Sequence, residues 1–309
     1  MSVRSKDPAG AAGVVRENCV NERQTVIDSH VHFWDLTRFD YAWLASAGEL
    51  NRTFLPTDLA LEAPDLDGLV FVQADCSPAQ SLAEAQWVHE LAAAGAPVVA
   101  IVAHAQLERG TDCKDELVAL GALPLVTGVR RLIQDEPVGF ATRADIVHST
   151  RLLALHGLSI DLCVRDWQLP EVTRLVERCP EVLFVLDHLG KPTIESGALA
   201  EWATNLQRLA ERPNVRCKLS GLASEAPVEL RTTAGLAPWL NRAIEAFGAE
   251  RCFFGSDWPV VTSAGGYQSW LEIVSAVIAD LSAPEISGIM RGNALATYHP
   301  TARDRRRSP

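Results

Sequence analysis

The amino-acid order predicts a single (β/α)8 barrel, on three observations. Eight short, apolar runs rich in β-branched residues recur along the chain, and stretches with helical spacing separate them. The length of 309 residues suits one such unit with tails, because barrels of this kind often run to about 250 residues.

Residues 1–22 read as an unstructured lead-in, and residues 23–300 as the barrel domain. The first run is Thr25–His32. The segment Trp34–Pro64 after it is too long for a simple connection. It carries Trp34, Tyr41, Trp43 and Phe54, and is expected to fold over the barrel mouth as a lid or wall.

The second run is Leu69–Asp75, followed by helical spacing at Leu82, Ala85, Trp87, Val88 and Leu91. Val98–Gln106 and Val126–Ile133 come next, then a helix through Ile146, Thr150, Leu153 and Leu155. Leu158–Val164 precedes a helix through Val172, Leu175 and Val176. Leu183–Gly190, Val215–Leu222 and Arg251–Pro259 complete the set, with Pro192–Leu199 and Ser224–Leu236 as further mouth loops.

Most of these runs are continuously hydrophobic, which marks strands covered on both faces, the habit of parallel sheets. Eight repeats suit closure better than an open doubly wound sheet, because a closed sheet has no edge to protect. The prediction is therefore the TIM-barrel architecture. Residues 301–309, with Arg303 and Arg305–Arg307, read as a disordered basic tail.

Hydrophobic residues at 48% and charged residues at 22% match a well-packed globular chain. A net charge of -11 argues against nucleic acid as a partner, which calls for a basic face. The seven cysteines are odd in number and form no CxxC pair, so neither a disulfide framework nor a thiolate zinc site is expected. Charged residues interrupt the first twenty positions, against a secretory signal. No run of about 18 apolar residues is present to span a membrane, and a cytoplasmic enzyme is expected.

The first run ends Asp28-Ser29-His30-Val31-His32. Strand alternation points Asp28, His30 and His32 one way, into a barrel, and Ile27 and Val31 the other. Paired imidazoles at the functional end can bind one metal ion or donate hydrogen bonds to one oxygen; as a structural alternative they fill the barrel top. Asp28, one layer below, either orients an imidazole or satisfies a backbone amide.

The sixth run ends Asp187-His188-Leu189-Gly190-Lys191-Pro192 and the eighth Gly255-Ser256-Asp257-Trp258-Pro259. Barrel enzymes draw their working groups from the ends of several strands. His188 alone reads equally as a core histidine, and Asp257 alone as a helix cap. Together His30, His32, His188 and Asp257 converge on one volume, where the carboxylate is placed to take a proton from water. Of the adjacent Arg130 and Arg131, alternation lets only one face the interior; Arg130 is expected inward, holding substrate oxygens through its fork of donors. Trp34 and Trp258 flank the centre and can stack on a sugar ring or pack as core.

The HVHFWD, DHLGKP and GSDWP stretches, in this order, resemble the amidohydrolase superfamily over roughly residues 25–299. More narrowly the chain resembles the branch of sugar-lactone hydrolases and pyrone-dicarboxylate lactonases, near the L-fuconolactonase-like and L-rhamnonolactonase-like enzymes. Phe71-Val72-Gln73-Ala74, Gly128-Val129-Arg130-Arg131 and Lys218-Leu219-Ser220-Gly221 agree with that branch.

The resemblance implies that His30, His32 and His188 are the superfamily's histidines and that Asp257 activates water; Gln73, Arg130, Trp34 and Trp258 are the expected substrate contacts. The implied substrate is a small sugar lactone, opened by hydrolysis without an organic cofactor. Strand five lacks the histidine of many metal-binding members, and strand four carries Arg130 and Arg131 where binuclear members have a bridging residue. A binuclear centre is therefore not expected. One divalent ion, zinc by ligand chemistry, on His30, His32, His188 and Asp257 is one reading. A metal-free site, where imidazoles and an arginine polarise the carbonyl, is the other. The rival activity is metal-dependent decarboxylation of aromatic acids on the same barrel, and the rival outside catalysis is a degenerate barrel that only binds.

Overall fold

In a computed structural model, residues 25–298 are described, so the tails at 1–22 and 301–309, with Cys19, lie outside the described residues. Eight parallel strands follow one another around a nearly closed barrel in sequence order: β1 Val26–Val31, β2 Leu66–Val72, β3 Val98–His104, β4 Val126–Arg130, β5 Ser159–Leu162, β6 Phe184–Leu186, β7 Val215–Leu219 and β8 Cys252–Phe254. Each lies within the run expected to contain it, apart from β2, which begins three residues earlier. The strands are shorter than the runs because the apolar stretches continue into the turns that carry the site.

Helices alternate with the strands: α1 Pro56–Glu62, α2 Ser81–Ala93, α3 Lys114–Gly121, α4 Ala144–Leu155, α5 Leu169–Arg178, α6 Leu199–Ala210, α7 Leu222–Glu225, α8 Thr233–Phe247, α9 Gly266–Val277, α10 Ala283–Ser287 and α11 Asn293–Tyr298. One face of each barrel strand packs on the helices, through residues such as Leu69, Phe71, Ile101, Val129, Ile160 and Phe184. The other face fills the interior, where Ile27, Val70, Val72, Ala100, Val102, Val185 and Phe253 meet. α11 plugs the N-terminal end, setting Ala294 and Tyr298 beneath this layer.

The pattern in β1 differs from the expected alternation. Ile27 faces the interior, and Asp28 faces outward towards Tyr267 of α9. The register shifts between Asp28 and Val31, and such a bulge reverses the facing of residues on its two sides. His30 and His32 still point inward. Asp28 accepts from the backbone amides of Ser256 at 2.9 Å and His30 at 3.1 Å, the amide-satisfying alternative.

The seam between β8 and β1 is closed by residues of the mouth. Asp257 N donates to His30 O at 2.9 Å, and His32 N to Trp258 O at 2.7 Å. Barrel closure thus presses the eighth-strand aspartate against both first-strand histidines. The six cysteines among the described residues are buried thiols. No helix among them is long and apolar enough to cross a membrane.

Candidate active site

A cavity of about 280 Å³ opens at the C-terminal end of the barrel. His32, His188 and Asp257 form its floor, Arg130 and Lys191 its sides, and Trp43 an aromatic wall. The segment 34–64 is thus a wall of the mouth, fastened by Trp43 Nε1 donating to Ala74 O at 2.8 Å.

Five non-glycine residues among those described adopt positive φ: Asp75, His188, Leu189, Lys191 and Asp257. Four of them line this cavity. Left-handed backbone at such residues costs on the order of 1–3 kcal/mol each and persists where surrounding structure enforces it, typically at functional sites. At His188, φ of 52° turns the side chain back to the interior directly after Asp187, so consecutive residues both serve the barrel. Gly221 leaves room for that ring: a Cβ there would lie 2.4 Å from His188 Nδ1.

Three imidazole Nε2 atoms converge on Asp257 Oδ1, His32 at 3.3 Å, His30 at 3.6 Å and His188 at 4.0 Å. Burial pulls the His188 imidazole down to about 4. Burial, and then the Lys218 charge, hold His30 well below its ordinary value. Burial pushes the Asp257 carboxyl up, and the imidazoles around it, His188 foremost, with a hydrogen bond from His32, pull it below its ordinary value.

The tautomer of His32 is fixed. Its Nδ1 lies 2.7 Å from Val72 O, and a carbonyl oxygen only accepts, so Nδ1 carries hydrogen. Neutral His32 therefore turns an Nε2 lone pair towards Asp257 Oδ1. Two acceptors 3.3 Å apart repel unless a cation lies between them, either a proton on His32 or a metal ion. His188 is likewise tied through Nδ1, 2.9 Å from Ser220 Oγ. Among the described residues, His30, His32 and Asp257 bring one donor atom each close enough for an ion, a nitrogen and carboxylate set that suits zinc.

Below this floor lies a buried charged layer in which sequence reasoning gave a role only to Arg130. Lys218 Nζ, fully buried, donates to Asp161 Oδ2 at 2.6 Å and lies 3.1 Å from Asp187 Oδ1. Arg130 is the inward arginine: Nη1 donates to Asp187 Oδ2 at 3.3 Å and Nη2 to Gln73 O at 2.6 Å. Tyr298 of α11 donates to Asp161 Oδ2 at 2.9 Å from beneath. Two carboxylates meet two cations, and the layer is neutral. Arg131 faces away and pairs with Glu108 at 3.1 Å and with Glu136.

Three expected substrate contacts do not reach the cavity. Trp34 is fully buried, edge-on to Trp43 and Phe54 at 5.3 Å each. Trp258 is buried against Phe33 and Phe54, its Nε1 donating to Glu62 at 3.1 Å. Each indole has its hydrogen bond and its ring contacts within the fold, so neither offers a face to a ligand. The Gln73 side chain is also buried and accepts from Asp75 N at 2.5 Å, holding the turn that presents Asp75. Trp43, Asp75 and Lys191 line the cavity in their stead.

The Amidohydrolase family profile matches residues 27–299. An L-fucono-1,5-lactonase of Burkholderia multivorans is 34% identical over 287 residues, covering 88% of this chain and 95% of that protein. A crystal structure of an amidohydrolase from Burkholderia multivorans with bound HEPES superposes with a TM-score of 0.80 at 32% identity, covering 89% of this chain and 99% of that one. One with bound zinc gives 0.79 at 33% identity, with the same coverage.

Proposed function

The chain belongs to the Amidohydrolase family, and from that premise we propose that it hydrolyses the ring ester of a neutral sugar lactone, L-fuconolactone or a close relative. The observation that carries the reading is the cavity floor, where the Asp257 carboxyl meets three imidazole Nε2 atoms under a wall suited to a hydroxylated ligand. Asp75, Gln134, Asp135 and Lys191 offer hydrogen bonds around the rim, and Trp43 an apolar face. A volume of about 280 Å³ sits at the small end of ligand pockets, roughly 300–1,000 Å³, as a single sugar ring requires. The lactonase relative at 34% identity supports the substrate class.

Asp257 takes a proton from water, whose oxygen attacks the lactone carbonyl carbon. The charge gathering on the carbonyl oxygen is met by the positive charge that His32 and Asp257 require between them, with Lys191 beside it. The ring C–O bond then breaks, and the leaving oxygen receives the proton held on Asp257. The product is an open hydroxy acid. Where a divalent ion is bound, His30, His32 and Asp257, whose donor atoms come close enough together, would hold it, and it would supply Lewis-acid polarisation of the carbonyl.

The test is hydrolysis of a panel of L-fucono-, L-rhamnono- and galactonolactones, followed by proton release with a pH indicator, before and after chelation and with metal analysis. Turnover of at least one aldonolactone is expected. Activity surviving chelation assigns the positive charge to a proton on His32, whereas loss reversed by zinc assigns it to the ion. No turnover on any lactone would sink the proposal and favour the decarboxylase chemistry.

A further inference from the structure

The turn that follows β2 is fixed from several directions. Arg130 Nη2 donates to Gln73 O at 2.6 Å, and Trp43 Nε1 donates to Ala74 O at 2.8 Å. Ala74 N donates to Glu84 Oε1 at 3.4 Å, and Asp75 N to Gln73 Oε1 at 2.5 Å. Gln73, Glu84 and Arg130 are themselves buried, so the mount is rigid. Asp75 is held on it in left-handed backbone, with φ of 60°.

The side chain that this mount presents has no such fastening. Asp75 lines the cavity beside Trp43, and its carboxylate joins no hydrogen bond or ion pair among the described residues. Asp135, on the same rim, accepts from Gln134 Nε2 at 3.2 Å and is likewise in no ion pair among them. The arginine and lysine of the lining are already engaged, Arg130 with Asp187 at 3.3 Å and Lys191 with Glu225 at 3.0 Å.

A carboxylate only accepts hydrogen bonds, through two oxygens. A ligand that satisfies Asp75 must therefore bring donors. It must also bring no negative charge of its own, since the rim already holds two carboxylates. Neighbouring hydroxyls on a neutral sugar ring meet both conditions, and a rigid mount spares the ordering cost of binding them.

We propose that Asp75 is a specificity-determining residue, its carboxylate accepting hydrogen bonds from the ring hydroxyls of the lactone. The inference rests on the reading of the cavity as a lactone site and names the feature of the lactone that the wall recognises.

The full-length protein is assayed on the sugar lactones it opens and on an unsubstituted lactone of the same ring size, which has the ester without the hydroxyls. The quantity read is the ratio of the two kcat/KM values. Where the unsubstituted lactone turns over too slowly to follow, the inhibition constants of the two corresponding lactams give the same ratio. Asp75→Gly removes the side chain at a φ that glycine adopts freely, whereas alanine would add strain to the lost contact. It should lower the preference for the sugar lactone by about tenfold or more, as loss of a hydrogen bond to a charged group does. Asp75→Asn, whose amide suits left-handed backbone and still accepts, should lower it by a smaller factor. General damage to the site would slow both substrates together and leave the ratio in place.

An unchanged ratio in Asp75→Gly overturns the inference; should that variant fold poorly, an unchanged ratio in Asp75→Asn does so. A parent that opens no lactone and binds no lactam fails the underlying reading, and the inference with it.

Discussion

The barrel interior holds two polar layers that match their charges differently. In the lower layer, Asp161, Asp187, Lys218 and Arg130 pair within 3.3 Å and are closed from beneath by Tyr298. In the upper layer, Asp257 faces His32, whose Nδ1 hydrogen is directed to Val72 O, and the backbone at His188, Lys191 and Asp257 is left-handed. The lower layer is drawn from β4 to β7 and the upper from the ends of β1, β6 and β8, so only the sixth strand feeds both. Where partners are complete, a polar cluster builds the fold; where a positive charge is missing beside a strained backbone, it can act on a substrate.

Breaking the upper layer should abolish chemistry and spare the fold. Asp257→Asn keeps the shape of the side chain but cannot take a proton, and kcat/KM should fall by about a thousandfold or more on any lactone that turns over. The thermal midpoint should stay within a few degrees of the parent, because the change removes a buried charge that lacks a fixed cation. Near-normal turnover would show that the general base lies elsewhere.

Breaking the lower layer should do the reverse. Lys218→Met leaves Asp161 and Asp187 without the ammonium they share, and stranding one side of a buried ion pair typically costs about 3–5 kcal/mol. Urea unfolding measures it, and adding Asp161→Asn should restore part of the loss. If Lys218→Met matches the parent in stability, the lower layer is not the matched network its distances indicate.

Gly221 joins the two comparisons. With φ of 69° and a Cβ that would meet His188 Nδ1 at 2.4 Å, Gly221→Ala strains the backbone by on the order of 1–3 kcal/mol. It also displaces the ring, and a shift of about 1 Å at a catalytic group can cost roughly a hundredfold in rate. A drop in stability with unchanged kcat would mean that the position of His188 does not matter to the reaction.

All eight strands were legible as apolar runs, and so was the gathering of His30, His32, His188 and Asp257, because strand ends at the mouth of a barrel are neighbours whatever the loops do. The facing of Ile27 and Asp28 was not, since alternation cannot reveal a bulge. Between stacking and packing, the two roles open to Trp34 and Trp258, the sequence could not choose: indoles beside histidines look alike whether they meet a sugar or Phe54. The lower layer left a mark that went unused. Lys218 in Val215–Leu219 and Asp161 in Ser159–Leu162 are lone charges inside apolar strands, and such charges demand partners on neighbouring strands. The approach of Arg130 and Lys218 to the His30 ring, at 3.3 and 3.2 Å, depends on ångström distances, which no spacing rule supplies.

A smaller test concerns another buried carboxylate, outside the barrel and in no ion pair among the described residues. Glu84 of α2 accepts from Tyr41 Oη at 3.0 Å and from Ala74 N at 3.4 Å, so it ties the mouth wall to the second strand's end. Burial raises its carboxyl to about 7, against an ordinary 4.5. Between those two values the folded chain holds a proton that the unfolded chain has released, so this group's contribution to stability falls as pH rises from about 4.5 to 7. Glu84→Gln keeps an oxygen acceptor for Tyr41 but has no proton to lose. Its thermal midpoint should therefore decline less than the parent's over that window, the gap narrowing or reversing by pH 8. Parallel curves would mean that Glu84 is already ionised in the folded chain at low pH, held by Tyr41 and the Ala74 amide strongly enough to do without a counter-charge. The wall would then resemble the matched lower layer, not the unmatched floor beside it.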